Sequence, residues 1–286
     1  MRMLTPVISF PGPLASPQWL ADHLGEPGVV VVDSRWTPDG SGRAAFAAGH
    51  VPGATYLDVD DDLAAPPALQ GGRHPLPAPV AFAATMSRAG VGEDDLVVIY
   101  DVAQGSHAAR LWWMLTTTGH RASVLDGGLP SWKGPLETGD PLPRPAAAFS
   151  SRPWPTDAIA DAAAVTSALA TGNGLVLDVR APERYRGEVE PFDAKAGHIP
   201  GAVNVPWSEN LDPATGRFRP PADLAERYGA IGADRTTILQ CGSGITGPHD
   251  ALAMQIAGLP MPRLYVGSWS DWISDPDRAV STGGQP

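Results

Sequence analysis

The chain has 286 residues, 43% of them hydrophobic, and carries 20 Lys and Arg against 31 Asp and Glu, a net charge of −11. That balance argues against a nucleic-acid or anionic-membrane partner, and an anionic substrate would need a local cationic pocket. The single cysteine, Cys241, excludes an internal disulfide and any multi-cysteine metal site.

The N-terminal stretch MRMLTPVISFPGPLA has one Arg and an apolar run broken by prolines, so it reads as neither signal peptide nor anchor. No run approaches the roughly 20 apolar residues of a membrane span. SPQWLADHL (16–24) reads as a helix with Ser16 as N-cap and Pro17 in its first turn. A valine run (29–32) follows and ends in Asp33, and DLVVIYD (95–101) has the same form. ARLWWMLTTTGH (109–120) reads as an apolar helix packed in the core. GPLETGDPLPRPAAAFSSRPWPTD (134–157) is proline-rich and reads as a linker crossing the surface.

Beyond it the grammar starts again. VVVVDSRW (29–36) matches GLVLDVRA (174–181), and AGHVPGATYLD (48–58) matches AGHIPGAVNVP (196–206). DLVVIYD matches TTILQC (236–241), and VLDGGLPSW (124–132) matches LYVGSWSDW (264–272). The offset and order are kept, the mark of two copies of one domain. Short β-branched runs alternating with helix-length segments predict an α/β fold with a mostly parallel sheet in each copy. The expected boundaries are 1–135 for the first domain, 136–157 for the linker and 158–286 for the second.

Cys241 falls where the buried strand TTILQ ends and CGSGIT curls into the helix PHDALAMQIAG, with Pro248 in its first turn and Gly258 at its end. Ligands of open α/β sheets gather at the carboxyl ends of strands. The glycines let successive N–H groups form a cradle at a helix N-terminus, which stabilises an anion. A thiolate is such an anion, so the thiol pKa is expected to fall. A lone cysteine is commonly inert and buried, but this position and flank point to a nucleophile. The first copy has Asp101 at the equivalent position, which suggests one active and one inactive half.

These motifs together resemble the tandem-domain sulfurtransferases of the rhodanese superfamily, over nearly the whole chain. The resemblance implies two rhodanese-like domains, each a mostly parallel sheet flanked by helices, with the active site in the second near the interface. Members that prefer thiosulfate carry Arg-Lys after the cysteine. Gly242 and Ser243 are more similar to the 3-mercaptopyruvate-using members. The resemblance then implies that Cys241 takes a sulfur from 3-mercaptopyruvate as a persulfide, releases pyruvate, and passes the sulfur to a thiol, a thioredoxin or cyanide. It also implies a Ser243–His74–Asp60 proton relay, with Asp58, Asp61 and Asp62 close alternatives for the acid. Arg184 would hold the substrate carboxylate, with Arg186 able to share the task, and Gly242, Gly244, Ile245 and Thr246 would line the site. The second substrate arginine of some members is missing, and Lys195 is the nearby cation in the segment EPFDAKAGH. Gly247 stands where alanine is usual.

Asp178 and Arg180 read as a structural pair at a strand end. His198 marks a turn duplicated at His50, and Trp269 and Trp272 read as packing beneath the active loop. No cofactor or metal is implied. A Cys-x5-Arg phosphatase would need arginine at 247. Two other readings stay open: thiosulfate:cyanide sulfur transfer as the main activity, and a persulfide carrier without turnover. The acidic surface permits a monomer or weak dimer. A free thiol suits a reducing compartment, so a cytoplasmic location is expected.

Overall fold

The computed structural model of the protein describes residues 8–67, 71–141 and 143–286. The reading of residues 1–7 as neither signal nor anchor lies outside them, as does linker residue 142. Among the described residues, no helix is long and apolar enough to cross a membrane.

The first half forms a sheet of β1 (Leu14–Ala15), β2 (Val29–Asp33), β3 (Thr55–Tyr56), β4 (Leu96–Tyr100) and β5 (Arg121–Leu125), in the order β1-β5-β4-β2-β3. The second half repeats that order with β6 (Ile159–Ala160), β7 (Val176–Asp178), β8 (Val203–Asn204), β9 (Ile238–Gln240) and β10 (Arg263–Tyr265), as β6-β10-β9-β7-β8. Every strand pair is parallel. Every residue of β2, β4, β7 and β9 is buried, so these strands read as unbroken apolar runs rather than alternating ones.

Helices cover the sheets. In the first half they are α1 (Pro17–His23), α2 (Gly42–Ala48), α3 (Pro79–Arg88), α4 (Ala108–Thr117) and α5 (Gly128–Ser131). In the second they are α6 (Ala162–Thr171), α7 (Pro182–Tyr185), α8 (Pro221–Ala230), α9 (Gly247–Ile256) and α10 (Ser268–Trp272). Ser16 caps α1 by accepting the Trp19 N–H at 3.0 Å. The helix after Cys241 has Pro248 in its first turn and Gly258 just beyond its C-cap, at φ +74°.

The duplicated motifs do duplicated structural work. Asp33 accepts from the Arg35 amide, and Arg35 donates to Gly49 O. Asp178 and Arg180 do the same with Gly197 O. His50 and His198 each turn Nδ1 to a backbone carbonyl. The proline-rich stretch stays on the first domain: Glu137 bridges to His50, and the Trp154 indole donates to Pro77 O.

One core runs through both halves. Trp112, Trp113 and Leu115 of α4 belong to the same buried cluster as Leu252 and Met254 of α9. The helices that follow Asp101 and Cys241 therefore meet at the domain interface, which sets the two loops on either side of it. Asp250 of α9 is fully enclosed; the Tyr228 hydroxyl donates to its Oδ1 at 2.8 Å and its Oδ2 has no partner. Burial pushes its carboxyl up to about 7. An acid raised in the fold binds more protons than the unfolded chain between pH 4 and 7, so its ionisation penalty grows as pH rises through that window. Asp250→Asn is therefore expected to gain on wild type as pH rises, with about 2 kcal/mol more relative stability at pH 8 than at pH 5. Thermal unfolding at the two pH values checks it.

Candidate active site

Cys241 follows the last residue of β9 and is buried. Its Sγ lies 3.1 Å from the Gly244 N–H, which donates to it. Burial pushes the thiol up. The Thr246 hydroxyl, the N–H groups of Ser243 and Gly247 and the Ser268 hydroxyl outweigh it and bring the pKa below its usual value. Ser268 contributes least, because it gives its one proton to Tyr265 O at 2.8 Å and stands 3.8 Å from Sγ. Gly244 must be glycine: its φ is +80°, and a Cβ would stand 2.3 Å from Val266 O.

The first copy shows the same cradle occupied. The Asp101 carboxylate accepts the N–H groups of Ala103, Gly105, His107 and Ala108 at 2.8 to 2.9 Å. Ala103 and His107 stand two and six residues past Asp101, as Ser243 and Gly247 stand past Cys241. Each loop is thus an anion-binding turn; one holds its own carboxylate and the other a thiol.

Above Cys241 opens a cavity of about 300 Å³, lined among others by Trp36, Arg73, His74, His107, Arg184 and Ser243. Gly242, Ile245 and Thr246 also line it. First-domain residues reach it because the segment after Gly71 is pinned to α10 of the second domain. The Gly71 N–H donates to Asp271 at 2.8 Å and the Arg73 N–H to Ser270 Oγ at 3.1 Å.

His74 Nε2 lies 2.7 Å from Asp60 Oδ1, and the Trp36 indole donates to Asp60 Oδ2 at 2.8 Å. Burial first, then the Arg110 cation, push the imidazole down to about 4 despite Asp60. His74 is therefore neutral at pH 7. With Nε2–H given to Asp60, the buried Nδ1, unpartnered among the described residues, is an acceptor. Among the described residues no hydrogen bond joins His74 to Ser243, although both line the cavity.

Arg184 donates to Glu190 at 2.7 Å and lies over the Phe192 ring at 5.1 Å. Arg186 is not brought to the cavity; it is exposed and paired with Glu188 at 2.7 Å. Lys195 is exposed and does not line the cavity either; its carbonyl accepts the Trp269 indole N–H. The second guanidinium at the site is Arg73, from the other domain. A Cβ on Gly242 would meet Arg184 at 3.3 Å and Arg73 at 3.4 Å, so both stand directly over that glycine.

Arg110 of α4 is fully buried and, among the described residues, has no carboxylate partner. It donates to Leu63 O, to His74 O and, across the interface, to Gly244 O at 2.9 Å. Burial lowers its pKa to about 10, so it remains charged beside the thiol. Sequence reading placed α4 in the core and missed this role, although an arginine inside an otherwise apolar run was the available signal. Trp36 and Arg73 carried no sequence signal of their own. Among the described residues, no group of three or more His, Cys, Asp or Glu could hold a metal ion.

Comparison with known proteins decides the family. The rhodanese-like domain matches twice, at residues 16–135 and 161–275. The chain belongs to the rhodanese family. It is similar to a Pseudomonas aeruginosa rhodanese relative named a probable 3-mercaptopyruvate sulfurtransferase, 42% identical over 94% of this chain and 98% of that protein. It is also similar to the thiosulfate sulfurtransferase of the same organism, 32% identical over 92% of this chain and 95% of the other. The solved structure of SseA from Escherichia coli, described as a 3-mercaptopyruvate sulfotransferase with the rhodanese fold, superposes with a TM-score of 0.77 at 30% identity. It covers 91% of this chain and 99% of that one.

Proposed function

We propose that this rhodanese is a sulfurtransferase whose donor is 3-mercaptopyruvate and whose carrier is a Cys241 persulfide. The observation that carries the reading is a lone thiol, its pKa lowered by loop donors, opening on a cavity that holds two guanidiniums and a neutral histidine. The Cys241 thiolate attacks the donor sulfur. The carbon–sulfur bond breaks, and its electron pair stays on carbon as the enolate of pyruvate. The enolate takes up one proton, matched by loss of the proton on the terminal persulfide sulfur, so thiolate and mercaptopyruvate become persulfide anion and pyruvate. Covalent capture splits one transfer into two easier steps.

Arg184 binds the donor carboxylate, a planar fork against a planar anion. Ser243, His74 and Asp60 handle the proton: Asp60 fixes the tautomer, and Nδ1 is left to accept from the Ser243 hydroxyl. The second domain (158–286) supplies the nucleophile and the first (1–135) the histidine, with residues 136–157 as connection. The persulfide then passes to a thiol, thioredoxin among the candidates, in a reducing compartment such as the cytoplasm. The working unit is a monomer or weak dimer.

The donor is tested by steady-state sulfur transfer from 3-mercaptopyruvate and from thiosulfate to a common thiol. Faster turnover of mercaptopyruvate is expected, and the reverse order would overturn the donor assignment. His74→Asn separates the chemistry further. Sulfite leaves thiosulfate without needing a proton, whereas the enolate does need one. Turnover of mercaptopyruvate is expected to fall about 100-fold or more, with thiosulfate turnover changed far less. An equal loss for both donors would remove His74 from the proton path.

A further inference from the structure

Both guanidiniums over Gly242 are already engaged. The Arg73 guanidinium pairs with Asp193, whose other oxygen stands 3.6 Å from Arg184. Arg184 also pairs with Glu190, which in turn meets Arg180 at 3.3 Å, and Arg180 is held by Asp178. The cluster therefore balances three cations, Arg73, Arg180 and Arg184, against three anions, Asp178, Asp193 and Glu190. The carboxylates of Asp193 and Glu190 are almost fully enclosed, while the cavity they border is open to solvent. Asp193 is unlike the other two acids in lying between guanidiniums from different domains. Among the described residues its buried Oδ2 has no hydrogen-bond partner. The neighbouring side chain, Phe192, packs against both arginines.

We propose that Asp193 determines donor specificity: by cancelling one charge of the Arg73–Arg184 pair it favours a monoanionic α-keto carboxylate over a dianion such as thiosulfate. This rests on the sulfurtransferase reading above. The physical reason is that Coulomb energy scales with ligand charge. Removing one negative charge at ~8 Å, with an effective dielectric of ~40, strengthens binding about five-fold per substrate charge. A dianion therefore gains about five-fold more than a monoanion.

The test is kcat/KM for thiosulfate divided by kcat/KM for 3-mercaptopyruvate, in wild type, Asp193→Asn and Glu188→Gln. Glu188 is exposed and paired with Arg186 away from the cavity, so it controls for the same change in net charge. The ratio is expected to rise about five-fold in Asp193→Asn, to shrink again with added salt, and to stay at wild type in Glu188→Gln. An unchanged ratio in Asp193→Asn, an equal rise in Glu188→Gln, or an equal loss for both donors would overturn the proposal. Arg73→Gln is the second variant, should Asp193→Asn fail to fold. It is expected to lower the ratio, and an unchanged ratio counts against the proposal. A wild type that turns over neither donor would sink the sulfurtransferase reading instead. Specificity is then read from protection of Cys241 against iodoacetamide by sulfate and by pyruvate, whose ratio must move in the same direction.

Discussion

Cys241→Ser is expected to abolish sulfur transfer from either donor, with a loss of at least about four orders of magnitude in kcat. The chain contains no other thiol that could take over. The change is small in volume, and the cradle in which Gly244 N–H and the Thr246 hydroxyl donate to Sγ can hold a hydroxyl, so the fold is expected to persist. A serine hydroxyl is not ionised at neutral pH by such a cradle, and an alkoxide could not hold a sulfane sulfur. Two measurements check this. Steady-state transfer to a common thiol reports turnover, and intact mass after incubation with donor reports gain of one sulfur atom on wild type but not on the variant. Activity surviving in Cys241→Ser would sink the persulfide mechanism. A persulfide on wild type without turnover would favour a carrier.

Arg110→Met is expected to cost about 3 to 5 kcal/mol of stability and to raise the pKa of the Cys241 thiol. The guanidinium is the hydrogen-bond partner of three buried carbonyls, Leu63, His74 and Gly244. Methionine fills the space but leaves all three unpaired, each at a cost of about 1 to 3 kcal/mol before relaxation. The Gly244 carbonyl and the N–H that holds Sγ at 3.1 Å flank the same Cα, so freeing the carbonyl loosens the backbone of the glycine that carries the donor. The cation also favours the thiolate through the low-dielectric interior. Urea unfolding measures the first effect, and the pH dependence of iodoacetamide alkylation measures the second. Arg110→Lys is expected to restore part of the pKa but little of the stability, because an ammonium cannot fork to three carbonyls. An unchanged alkylation profile in Arg110→Met would leave Arg110 only a structural role.

Much of this site was open to reading along the chain. The repeat, the α/β character and the position of Cys241 depend on neighbours within a few residues. So does the exchange of Cys for Asp101, which the structure shows as a cradle filled by its own carboxylate. Arg184 was the expected carboxylate binder, with Arg186 as a neighbour able to share the task. They differ because residues two apart on a helical turn face different ways, and only Arg184 faces the cavity. Lys195 was the cation expected to stand in for a second arginine, yet Arg73 is the one that lines the cavity. The 71–74 segment docks on α10 across some 200 positions, and no local pattern encodes that contact. Trp36 at Asp60 and Arg110 at Gly244 were hidden for the same reason.

By itself, then, the sequence determined two copies of one parallel α/β unit, one thiol at a strand end, and a loop whose glycines turn N–H groups toward an anion. These follow from strand burial, helix capping and backbone freedom, all local properties. The tertiary structure alone decided which cations stand over the thiol and which acids balance them. It also left the histidine neutral, with Nδ1 unpartnered. Those outcomes depend on desolvation and on charges a few ångströms away through space, and the two domains bring them together only when α4 and α9 pack into one core.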